Sequence, residues 1–207
     1  MRDVFTDLGA DGVISGGQTM NPSTEEHPQG DQKVPAHAFS CCRTTRTSSW
    51  PRTAVHWPDG EDRQWSSPAA SIPQGVSAMM AVDPDMSDAD AIAKAMTDAA
   101  QCVSTAQITY AARNSDFDGF DIHEGDYLAL LDGKLLGTDR DVSALLDGLS
   151  DEAASREAEF ITVFYGGDVN EEDAHKACDA FTRKCPDAEV NLICGGQPVY
   201  CYIISIE

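Results

Sequence analysis

Hydrophobic patterning in this chain breaks off and then resumes, and that interruption limits what the chain can fold into. Residues Gly12 to Glu26 run as an apolar strand through a polar, glycine-rich turn into a helix start. From His27 to Ser71 neither a strand period nor a helix period holds, and at Ile72-Pro73-Gln74-Gly75-Val76 the pattern returns. Composition marks the same borders. The whole chain has 35 Asp and Glu against 14 Lys and Arg, whereas residues 27–71 hold five bases and four acids. All three tryptophans, half of the ten prolines and three of the five histidines also fall there. A solvated linker tolerates proline and serine, but three tryptophans are foreign to one. Back-translating Phe39 to Pro51 and shifting the reading window gives Phe-Val-Leu-Pro-Asn-Asn-Lys-Asn-Ile-Val-Met-Ala, a strand, turn and helix start. The expectation is that residues 27–71 are translated out of frame and poorly ordered.

The flanking blocks predict an α/β chain in two parts. Residues 1–103 read as the remnant of a βαβ-type domain: a helical stub at Val4 to Leu8, a strand at Gly12 to Ser15, a short apolar helix from Ile72 to Val82, and a longer one from Ser87 to Cys102. Ser87 is the expected cap of that last helix, with Asp90 at its third position. Residues 104–207 read as α+β, a small mixed sheet with helices. Strands are expected at Gln107 to Ala111, Asp126 to Leu131, Phe160 to Tyr165, Val190 to Cys194 and Tyr200 to Ile206, with Ile122 pairing against Asp126 to Leu131. Asp132-Gly133 favours a tight hairpin to Lys134-Leu135-Leu136. Helices are expected at Val142 to Leu149 and from Asn170 or Glu171 to Lys184, closed by Pro186.

The candidate contact residues are few. Gly16, Gly17, Gln18, Thr19, Asn21 and Ser23 form a turn at a helix start that suits a carboxylate or phosphate, or else simply caps the helix. Arg113 is a lone base following a strand, available for an acidic ligand or partner or for a local ion pair. Gln197 stands in a glycine-rich turn between strands read as edge strands, where it touches a partner or merely shapes the turn. No catalytic, cofactor or metal residue is assigned. Cys41 and Cys42 are adjacent and lack the Cys-x-x-Cys clip of a zinc site. Asp83, Asp85, Asp88 and Asp90 read as helix-start acids, Cys178 and Cys185 as packed thiols, His123 and His175 as solvent-facing. Net charge of -21 argues against nucleic acid. No apolar run reaches the roughly 18 residues of a membrane span, Asp3, Asp7 and Asp11 interrupt any leader, and seven irregularly spaced cysteines suit a reducing, cytoplasmic setting.

Five strings carry a family resemblance: Gly16-Gly17-Gln18-Thr19-Met20-Asn21-Pro22-Ser23-Thr24, Ser71-Ile72-Pro73-Gln74-Gly75, Gln107-Ile108-Thr109-Tyr110-Ala111, Glu124-Gly125-Asp126-Tyr127, and the closing run from Gly195 to Glu207. In this order they resemble the middle and C-terminal parts of the ATP-binding component of bacterial fatty acid kinase, from the DAK2-domain, dihydroxyacetone-kinase-like family. The resemblance implies that ATP and magnesium belong to an N-terminal domain missing from this chain. It further implies a homodimer in the intact protein and a separate fatty-acid-binding protein as partner in acyl phosphate formation. Residues 27–71 depart from the family pattern. The competing expectation is a free-standing α/β enzyme that binds a small phosphate or carboxylate through the Gly16–Ser23 loop.

Overall fold

The structure is a computed structural model, and it describes residues 1–10, 39–42, 64–67, 69–83, 85, 88–117 and 119–207. These divide into two units, Arg2–Cys102 and Val103–Glu207 (the latter with Met1).

In the first unit, helix α1 is Arg2–Asp7. Strands β1 (Phe39–Cys42) and β2 (Gln64–Ser67) pair in parallel, Phe39 opposite Gln64. Both fall within the stretch expected to be out of frame, so part of that stretch carries regular backbone pairing. Helix α2 (Ile72–Met80) begins where the apolar pattern resumes, and its start explains the Ser-Ile-Pro-Gln-Gly string. Ser71 Oγ accepts from Gln74 N–H at 3.3 Å, and Gln74 Oε1 accepts from Ala70 N–H at 2.7 Å. Pro73, in the first turn, has no N–H to leave unsatisfied there. Helix α3 (Ala89–Cys102) begins just after its expected start and ends where expected. Asp88 Oδ1 accepts from Asp90 N–H, so Asp88 serves that helix start, while Ser87 lies outside the described residues. Helices α2 and α3 close on Ala78, Met96 and Ala100, two of them small enough for near approach.

The second unit is a six-stranded mixed sheet in the order β7-β6-β3-β10-β8-β9. Its strands are β3 (Ser104–Tyr110), β6 (Tyr127–Leu131), β7 (Lys134–Asp139), β8 (Phe160–Tyr165), β9 (Glu189–Cys194) and β10 (Tyr200–Ile206). A small hairpin, β4 (Ser115–Phe117) with β5 (Phe120–Ile122), is inserted between β3 and β6. Here the structure corrects the sequence reading. Ile122 pairs with Ser115, and Tyr127–Leu131 pairs with β3. The Asp132-Gly133 hairpin stands as expected, with φ of 51° and 79° at its two residues, the left-handed pair that tight hairpins require. Helix α4 (Val142–Ser155) runs past the expected Leu149. It stops in a left-handed cap at Glu157, φ 55°, where Ala158 N–H reaches back to Ala153 C=O. Helix α5 (Glu171–Lys184) is capped by Asn170, whose Oδ1 accepts from Asp173 N–H at 2.8 Å.

Both helices cover one face of the sheet. Leu145, Leu146, Leu149 and Ala153 of α4, with Ala177, Ala180 and Phe181 of α5, pack on Ala106, Ile108, Ile161, Val163, Ile204 and Ile206. The sequence suggests that Tyr200–Ile206 borders an edge turn; instead the strand is interior, flanked by β3 and β8. Residues Tyr202 to Ile206 are buried in succession, as expected for a strand covered on both faces.

Candidate functional site

Antiparallel pairing brings the ends of β3, β7, β8 and β9 and the starts of β6, β10, α4 and α5 to one end of this sheet. All five tyrosines of the chain belong to strands at that end: Tyr110, Tyr127, Tyr165, Tyr200 and Tyr202. Tyr110 lies opposite Tyr127, and Tyr202 opposite Tyr165. A phenol has an apolar body and a polar tip, which suits it to the margin of a core. Tyr202 is buried, its hydroxyl donates to Asp173 C=O at 3.2 Å, and burial pushes its phenol up to about 12. Tyr165 is also raised, first by its contact with the Cys194 thiol and then by burial. Tyr110 is 47% exposed.

Two glycine-bearing turns lock together here. Gly166 N–H donates to Cys201 C=O (2.8 Å) and Gly167 N–H to Gln197 C=O (3.1 Å), while Gly195 and Gly196 N–H both donate to Tyr165 C=O. A Cβ on Gly166 would overlap the Tyr200 carbonyl oxygen and sit 2.9 Å from that of Gln197, so only glycine fits. Gln197 is 3% exposed. Its Nε2 donates to Phe164 C=O at 3.0 Å, and its Oε1 has no partner among the described residues. The side chain named as a candidate contact is thus turned inward, fastening the turn to β8.

Next to it, Val199 has φ 72°, and Tyr200 N–H donates to Pro198 C=O at 2.8 Å. That is a three-residue γ-turn with positive central φ, a strained form and rarer still for a β-branched residue. Val199 is nevertheless 41% exposed, and Thr109 Oγ1 donates to its carbonyl at 2.9 Å.

Asp126 fixes the opposite side. It is buried and accepts from His123 N–H (2.8 Å) and Arg140 Nε (3.3 Å), while its own C=O takes Ala111 N–H (2.8 Å). The His123 backbone N–H above all, aided by Arg140 and opposed by burial, holds its carboxyl below the usual aspartate value. The Glu-Gly-Asp-Tyr string therefore ties the β5–β6 turn to the end of β3. Arg113, in the bend after β3, is exposed and makes no ion pair among the described residues. Gly16, Gly17, Gln18, Thr19, Asn21 and Ser23 lie outside the described residues.

The β8–Gly166-Gly167–α5 connection has the strand-turn-helix layout of a nucleotide loop, but it does not fit phosphates. Both glycine N–H groups are already spent on carbonyls, and Glu171, Glu172 and Asp173 occupy the first helical turn. Of the cysteines, Cys178 is pushed up to about 11 by burial, and Cys185 and Cys201 are raised for the same reason. His123 and His175 face solvent. What gathers at this end is the chemistry of recognition: phenols, an exposed apolar turn, one guanidinium and an acidic margin.

Comparison with known proteins places this geometry. The model of the FakA-like C-terminal family, a fatty acid kinase family, matches residues 67–207. Protein YloV of Bacillus subtilis is 34% identical over 208 aligned residues, covering 100% of this chain and 37% of YloV. An uncharacterized protein of Staphylococcus haemolyticus is 30% identical over 221 residues, with 100% and 37% covered. The chain thus spans about 37% of the length of the curated relatives it matches. Among solved structures, a DegV-family protein from Ruminococcus gnavus with vaccenic acid aligns at TM-score 0.50 and 12% identity. The alignment covers 72% of this chain and 61% of that one; at this identity the likeness is one of fold.

Proposed function

Because the chain belongs to the FakA-like C-terminal family of fatty acid kinases, we propose that Val103–Glu207 is a non-catalytic recognition unit that docks a fatty-acid-binding partner protein. In this reading the intact protein is a cytoplasmic homodimer. Its ATP and magnesium are handled by a DAK2-type domain outside this chain, and the partner presents the acyl carboxylate that becomes an acyl phosphate. The family match over residues 67–207 carries the proposal. Two further observations support it: the tyrosine end offers binding groups, and the β8–α5 turn rejects phosphate. Among the described residues no helix is long and apolar enough to cross a membrane. Calorimetry tests the reading. The chain should bind a fatty-acid-loaded DegV-family protein from its own organism and should not hydrolyse ATP; absence of binding, or turnover of ATP by the chain alone, overturns it.

We also propose that residues 27–71 are translated out of frame. The contrast in charge and tryptophan content supports this, as does alignment to YloV over the whole chain, since compensating shifts preserve length. The gene's nucleotide sequence decides: an uninterrupted frame that matches relatives through this stretch would contradict it.

A further inference from the structure

Val199 is the residue whose conformation folding alone explains least. A valine at φ 72° closes a γ-turn, and its side chain is directed to water, so neither local preference nor burial accounts for it. The turn is nonetheless firmly held. Gln197 fastens it to β8, the Thr109 hydroxyl grips the Val199 carbonyl, and Gly167 donates to the Gln197 carbonyl. Tyr200, the next residue, pairs with Thr109, so Val199 lies at the same sheet corner as Tyr110. These two are among the few large apolar side chains that the described part of the unit leaves exposed, at 41% and 47%. A strained, pre-formed apolar turn beside an exposed tyrosine has the make-up of an interface centre: rigid anchors that lose little entropy on contact.

The surroundings specify what it meets. The unit holds 21 Asp and Glu against seven Lys and Arg. At this end Asp116, Asp121 and Glu124 are exposed on the hairpin side and Asp168 on the other, with Arg113 the one base in the β3–β4 bend. An apolar centre within an acidic margin complements a basic face around an apolar recess. We propose that the Val199 γ-turn, with Tyr110 beside it, is the contact surface for a basic-faced fatty-acid-binding protein. This rests on the docking reading above and gives it a location.

The test uses the full chain and the vaccenic-acid-loaded DegV-family protein of the same organism, measured by biolayer interferometry at several salt concentrations. Wild type should bind, more weakly as salt rises. Val199→Asp and Tyr110→Ser should each weaken binding by about tenfold or more. Val199→Gly should weaken binding and raise the urea midpoint, because glycine relaxes the turn while deleting the contact. Leu136→Ser, an exposed apolar position on β7, should bind as wild type. If wild type binds and both Val199 variants bind equally well, the surface is elsewhere and the docking reading survives. If wild type does not bind, both fall.

Discussion

Two adjacent glycines should respond in opposite ways to the same added methyl group. A Cβ on Gly166 overlaps the Tyr200 carbonyl oxygen, sits 2.9 Å from that of Gln197 and 3.4 Å from that of Cys201. All three obstacles are backbone, so no side chain can rotate away. Making room means withdrawing the 166–167 turn from β10, which stretches the Gly166–Cys201 bond of 2.8 Å and the Gly167–Gln197 bond of 3.1 Å. Overpacking of this kind costs about 1–3 kcal/mol and loss of one hydrogen bond about 1 kcal/mol, so Gly166→Ala should destabilise the unit by about 2–4 kcal/mol. A Cβ on Gly167 meets only the Gly196 carbonyl oxygen at 3.8 Å, ordinary contact. Gly167→Ala should therefore be neutral, or stabilising by about 0.4–1 kcal/mol through the less free unfolded chain. The assay is urea unfolding followed in the tyrosine band of the near-ultraviolet circular dichroism, because all five tyrosines lie in this unit. At a urea dependence of about 2 kcal/mol per M, Gly166→Ala should lower the midpoint by about 1–2 M. Equal midpoints for the two variants would refute the backbone-against-backbone account of this corner.

Other outcomes follow from the same structure. Asp126 has its folded pKa held below the unfolded value, so its carboxylate stabilises above that value, about 3.9, and the benefit disappears as pH falls through the lower folded one. The unfolding midpoint of Asp126→Asn should thus trail wild type at neutral pH and converge with it in acid; a gap that persists in acid would contradict the assignment. Cys178, raised to about 11, and buried Cys185 should alkylate far more slowly than exposed Cys102 and Cys194 in peptide mapping by mass spectrometry, and equal rates would count against the packing. Phe181, fully buried between α5 and the sheet, should cost about 3–5 kcal/mol on change to Ala in urea unfolding, with a loss below about 1 kcal/mol showing that the core there is loose.

Locally encoded elements are legible in the sequence. Asp132-Gly133 names its own turn, Asn170 caps α5 through its own side chain, and the Phe160–Tyr165 run is apolar enough to be a covered strand. Elements set by distant partners are not. The position of β10 inside the sheet depends on pairing with β3 and β8, which no local pattern states. The β4–β5 hairpin has three-residue strands containing Ser115, Asp116 and Asp121, too short and polar to show a period of two. The end of α4 lacks the usual glycine signal because Glu157 adopts the left-handed conformation in its place. At the candidate site, the Gly-Gly-Gln-Pro string marks the right turn, but it points to Gln197, which faces inward. Val199 gives no sign, since nothing about a valine codes for positive φ.

Hydrogen–deuterium exchange of the chain, with and without its fatty-acid-loaded DegV-family partner, bears most directly on the idea that this polypeptide recognises an acyl carrier. Protection should concentrate in peptides spanning Tyr110 and Gln197–Tyr200 and leave the α4–α5 surface unchanged. Exchange that is identical in both samples throughout Val103–Glu207 would contradict it.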